Sequence, residues 1–198
     1  MGVFPYGPVH GFMVWNLFLA TIPAVFALAL FTTSARRGVV WWLGLGAWIL
    51  FLPNAPYLLT DVVHMVHDIR VAPSDARAYV VIATYSGLFA FGLAVYALSL
   101  QLFRRFLHRT VRARLVAPAI LLVHALCVLA MYLGRFIRLN SWDVVLAPQR
   151  VAASVMHVPR PITVAVLAVM FVVVGVGAFA TAAIGDKVVA QARRLHVH

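Results

Sequence analysis

Residues 53–68 read Pro53-Asn54-Ala-Pro56-Tyr57-Leu-Leu-Thr60-Asp61-Val-Val-His64-Met-Val-His67-Asp68. They follow an apolar run and gather ionisable groups that most of the chain avoids. On a helix turning about 100° per residue, Asp61, His64, His67 and Asp68 fall within one arc of roughly 120°. Val62, Val63, Met65, Val66 and Ile69 take the opposite arc, so the pattern is amphipathic with an ionisable stripe. Pro53 and Pro56 each lack an N–H and disfavour helical geometry at the preceding residue. An apolar helix is therefore expected to end or kink near Pro53, with a short interfacial helix carrying the stripe.

Working outward, the chain is apolar throughout. It has 198 residues, of which 64% are hydrophobic and 11% charged, and a mean hydropathy of +0.98. A soluble domain is nearer half apolar. The formal net charge is +11. Such a charge on a soluble protein would point to nucleic acid. Here the apolar runs are long enough to point to a lipid bilayer, with the arginines placed for anionic headgroups. The single cysteine, Cys127, cannot form an internal disulfide. No linker or internal repeat divides residues 1–198, so one integral membrane domain is expected.

The expected fold is all-α, a polytopic bundle of about five spans near 12–31, 39–59, 78–103, 115–134 and 161–185. The first eleven residues contain no Lys or Arg and no evident cleavage site, so the first span is expected to remain as a membrane helix. Asn16 and Pro23 inside it are tolerable when neighbouring helices satisfy them. Trp41 and Trp42 suit a headgroup-level belt. Ser86, Gly87 and Gly92 allow close helix approach.

Loop charge gives the orientation. Arg70, Arg77, Arg135, Arg138, Arg150 and Arg160 share one face. Arg36, Arg37, Arg104, Arg105, Arg109, Arg112, Arg114, Lys187, Arg193 and Arg194 share the other. The larger set belongs in the cytoplasm, which puts the N-terminus outside and the C-terminus inside. Asp61, Asp68, Asp75 and Asp143 then lie on the outer side.

Each polar cluster has a functional and a plain reading. Asp61, His64 and His67 offer carboxylate and imidazole ligands for a divalent metal, although the i, i+6 spacing converges poorly. The plain reading is an interfacial helix with its polar side in water. Arg135 and Arg138, one helical turn apart, suit a phosphate or carboxylate. The plain readings are headgroup snorkelling, or pairing with Asp61 or Asp143. Asn54 and Tyr57 either hydrogen-bond a ligand or cap the broken backbone. His124, mid-span, is expected to make an interhelical hydrogen bond. His196 and His198 read as tail residues. No P-loop, nucleophile elbow or Cys-x-x-Cys pattern is present.

Three stretches can be read together: Asn16-Leu-Phe-Leu-Ala-Thr-Ile-Pro23, Phe51 to His64, and Leu133-Gly-Arg-Phe-Ile-Arg-Leu-Asn-Ser-Trp-Asp143. They resemble the bacterial membrane-protein family called domain of unknown function 1361. The resemblance implies a small polytopic inner-membrane protein and carries no catalytic role. Its matching positions include Asn54, Tyr57, Asp61, His64, Arg135, Arg138, Asn140, Ser141, Trp142 and Asp143. The leading expectation is an outward-facing polar site for an anionic or lipid-linked ligand. If the protein is an enzyme, Asp61 and His64 are the candidate general acid–base pair. The alternatives are a non-catalytic assembly or accessory subunit, and a small transporter.

Overall fold

In the computed structural model, residues 11–33, 37–156, 158 and 160–195 are described, with backbone only for 12 and 188–195. Arg36, His157, Pro159, His196, His198 and the stretch before Gly11 lie outside the described residues, as do the side chains of Arg193 and Arg194.

The fold is all-α, with no strand among the described residues. Helix α1 spans Gly11–Phe31 and α2 spans Val39–Phe51. A short α3, Asn54–Tyr57, and a 3-10 turn, Leu58–Asp61, lead into α4, Val62–Arg70. The long α5 spans Asp75–Thr110. Helix α6, Ala113–Tyr132, ends in a π-helical turn, Leu133–Ile137. An arm follows, with α7 at Asp143–Leu146 and α8 at Pro148–Met156, before α9, Pro161–Leu195. Among the described residues, five stretches are long and apolar enough to cross a membrane: Met13–Phe31, Val39–Arg70, Asp75–Thr110, Ala113–Ile137 and Pro161–Lys187. The protein is an integral, multi-pass membrane protein.

The second span is longer than 39–59, because the prolines do not end it. Pro53 has helical angles, φ −61° and ψ −23°. Pro56 cannot serve the Leu52 carbonyl, which accepts instead from Ala55 N–H at 3.2 Å. The Asn54 amide donates to Phe51 O at 2.9 Å, and the Thr60 hydroxyl to Tyr57 O at 2.7 Å. Local bonds of this kind let a broken helix continue in lipid. The segment tightens at Leu58–Asp61 and runs on to Arg70.

Helix α4 also faces the other way from a water-side interfacial helix. Asp61 and Asp68 are buried, while Val62, Val63 and Val66 are exposed. The polar side turns inward because α5, against which α4 packs, offers Tyr85, whose hydroxyl donates to Asp68 Oδ2 at 2.9 Å. His67 is exposed and His64 half-buried.

Helix α5 is the central post, packed against α1, α3, α4, α6 and α9. At 36 residues it measures about 54 Å, beyond the ~30 Å hydrocarbon layer, so the basic residues in its last two turns can reach past the lipid tails. Gly92 allows closest approach: a methyl group there would collide with the Ala55 carbonyl oxygen. Gly87 meets nothing within 4 Å. Toward the other end, Phe31 packs on Trp48 and Phe103 at centroid distances of 5.0 and 5.2 Å. Trp41 belongs to this aromatic core rather than to a headgroup belt, and Trp42 beside it is exposed.

His124 ties three helices together. Its Nε2 lies 2.9 Å from the Phe171 carbonyl, which only accepts, so Nε2 carries the proton. Nδ1 then accepts from Tyr96 Oη at 2.6 Å. This is the interhelical bond expected of a mid-span histidine.

Candidate functional site

The break in the second span and the end of α6 meet at one end of the bundle. Asn54 Nδ2, besides holding Phe51 O, donates to Ser141 Oγ at 3.2 Å. Gly134 approaches the Tyr57 ring, where an added methyl would sit 3.4 Å away. Between these elements lies a cleft of about 620 Å³. Its walls are apolar and come from α1 (Trp15, Leu19), α2 (Ile49, Leu50), α6 (Leu126, Leu129, Ala130) and α8 (Val151, Val155). Its polar groups cluster where the break meets the arm: Asn54, Tyr57, Arg138, Asn140, Ser141 and Trp142.

Arg138 has an unusual backbone. With φ 61° and ψ 40° it is left-handed, the only non-glycine residue of positive φ among those described. It ends the π turn, its N–H and that of Leu139 both bonding Leu133 O. Glycine is the usual residue there, and another side chain costs on the order of 1–2 kcal/mol. Arg138 is exposed, and among the described residues no carboxylate pairs with it. Asp143, the nearest acid in sequence, is engaged by the arm's own turn: its Oδ2 accepts from Asn140 N–H at 2.6 Å.

Arg135, three residues earlier, points elsewhere. Its Nη1 lies 3.6 Å from Asp61 Oδ1, with side-chain exposures of 21% and 3%. Asn16 Nδ2 contacts the other carboxylate oxygen at 3.5 Å. Both distances exceed those of a strong charged hydrogen bond, so attraction between opposite charges, rather than a tight fork, holds the pair.

The structure thus brings Asp61 to Arg135, and Asn54, Tyr57, Arg138, Asn140 and Trp142 to the cleft. It does not bring Asp61, His64, His67, Arg135 or Asp143 into the cleft lining. Among the described residues no group of three or more His, Cys, Asp or Glu is placed to hold a metal ion. Asn16 is the residue that joins the two regions, lining the cleft and contacting Asp61. An asparagine inside an apolar span was the one signal for it. Tyr85, the partner of Asp68, carried no such signal.

The family described as "Protein of unknown function (DUF1361)" matches residues 15–176, and the chain belongs to it. Neither curated proteins nor solved structures contain a match.

Proposed function

We propose that this protein binds an anionic ligand, free or lipid-linked, with the negative group held at the polar end of the cleft. The observation that carries this reading is Arg138: an arginine whose backbone takes a disfavoured left-handed conformation, without a carboxylate partner among the described residues, lining a largely apolar cavity. Strain of this kind persists where the surrounding structure over-determines it, and it concentrates at ligand clamps. The hydroxyls of Tyr57 and Ser141 and the indole of Trp142 add donors, as an anion needs. A phosphate-type group suits the guanidinium fork.

The test is thermal denaturation in detergent with inorganic phosphate or with phosphatidic acid as probe. The wild-type midpoint is expected to rise with at least one of them. In Arg138→Gln that rise is expected to vanish. Arg138→Gly is expected to be at least as stable as wild type without ligand, by about 1 kcal/mol, because it removes the left-handed cost, yet to lose the response. A response unchanged in both variants would remove Arg138 from the site.

A second reading, a non-catalytic assembly subunit, is supported by the pairing of the buried Asp61 with the half-buried Arg135, which needs no ligand. It gains if neither probe shifts the midpoint.

The cleft is assigned to the outer face of a bacterial inner membrane, with the N-terminus outside and the C-terminus in the cytoplasm. Support comes from the charge bias, six basic residues against ten across the two faces. A cysteine placed after His198 in a Cys127→Ser background is expected to resist a membrane-impermeant maleimide in intact cells. Labelling there would reverse the orientation.

A further inference from the structure

The polar end of the cleft is not its only opening. Helix α6 packs chiefly on α9 and α5, whereas α1 packs on α2, α3 and α5. The cleft occupies the gap left between the α1–α2 pair and α6. Trp15, Ile49 and Leu126, all in its lining, are 54, 36 and 44% exposed. Ile49 and Leu126 lie well inside apolar spans, where the surrounding medium is lipid tails, and Trp15 lies two residues from the start of its span. The gap is therefore a side opening into the bilayer.

Its depth is limited. Along α6 the lining runs from Leu126 to Leu133, about 10 Å at 1.5 Å per residue. The hydrocarbon layer is about 30 Å thick. The cleft thus belongs to one leaflet and gives no continuous path to the other. The distribution of chemistry inside it is also uneven. Leu126, Leu129 and Ala130 form one apolar wall, and Arg138 with Ser141 lies past the helix end. A small hydrated anion would use only the second part. A molecule with an anionic head and a hydrocarbon chain matches both.

Resting on the anion-binding reading above, we propose that the ligand is a membrane amphiphile with a phosphate-type head that enters sideways from its own leaflet. Its chain lies between α1–α2 and α6, along Leu129 and Ala130, and its head rests at Arg138. Trp15 lines the cleft, and Ala130 is an exposed position where added bulk plugs the cleft without entering the core.

The experiment uses the full chain in phosphatidylcholine nanodiscs. The probes are phosphatidic acid with brominated chains, phosphatidylcholine with the same chains, and inorganic phosphate as the free anion. Brominated phosphatidic acid is expected to quench tryptophan fluorescence more than brominated phosphatidylcholine at equal mole fraction. That excess is expected to fall in Trp15→Phe, the remainder coming from Trp142, which lines the same cleft. In Ala130→Phe it is expected to need about tenfold more probe, the loss of roughly two buried methylenes of contact. Ala130→Leu is a smaller plug for the case in which phenylalanine lowers folding yield. Inorganic phosphate is expected not to displace the lipid. Equal quenching by the two lipids, or an excess indifferent to both plugs, overturns the proposal. If inorganic phosphate stabilises the protein through Arg138 while phosphatidic acid gives no excess quenching, the ligand is a soluble anion: this inference fails and the anion-binding reading stands. If neither probe acts, both fail.

Discussion

Arg135→Ala is expected to lower stability by about 3–5 kcal/mol, because it removes the guanidinium beside the buried Asp61 and leaves that carboxylate with His64 as its remaining charged neighbour. For a chain of this size the midpoint in detergent should fall by roughly 6–20 °C. The cost lies in the stranded carboxylate more than in the lost contact, and that makes the prediction specific. At 3.6 Å the pair is not tightly bonded, so the attraction itself is modest. Removing both charges, as Asp61→Asn with Arg135→Gln, should therefore be milder than Arg135→Ala alone. Asparagine at 61 would still meet the Asn16 amide, 3.5 Å away in the wild type. A double-mutant cycle should show strong coupling. Additive losses, or a stable Arg135→Ala protein, would mean that Asp61 is compensated by other groups.

Gly92→Val is expected to cost about 3 kcal/mol or more, at or beyond the upper end for overpacking a core. The first added carbon meets the Ala55 carbonyl oxygen, and the Leu58 side chain crowds the same space at 3.2 Å. Backbone cannot step aside as a flexible side chain does. The carbonyl belongs to the broken part of the second span, so the substitution should displace Asn54 and Tyr57 as well. Gly87→Ala is the internal comparison. Nothing lies within 4 Å of its added carbon, and helix propensity favours alanine by up to about 1 kcal/mol. A Gly92→Val protein as stable as Gly87→Ala would show that α5 and the second span are not in close contact.

The five spans were legible because a membrane helix must be long and continuously apolar, and charge is scarce in this chain. The same scarcity made the Asp61–Arg135 pairing legible: few charges sit near the spans, and opposite ones seek each other. The facing of α4 was not. Its stripe defines two sides, but in a membrane either can be the inner one, and only the presence of Tyr85 and Arg135 decides. Nor was the role of Asn16, whose partner depends on which span lies beside α1. The left-handed Arg138 runs against residue preference, so preference could not reveal it. The cleft escaped sequence reading because it is a gap between helices, and periodicity describes faces rather than separations.

The inward aspartates of the second span bear on how the chain is made. During synthesis the segment Val39–Arg70 leaves the ribosome more than sixty residues ahead of Arg135. Presented alone to the insertion machinery, an aspartate at the centre of a span costs on the order of 2.5–3.5 kcal/mol and less toward its end; this segment carries Asp61 in its second half and Asp68 two residues from its end. Asn16 is already in place, Tyr85 follows soon, and the arginine arrives last. The end of this span is therefore expected to reach its final depth only when α6 has emerged to bring Arg135 to Asp61. Integration is then expected to be cooperative across four helices rather than one hydrophobic segment at a time.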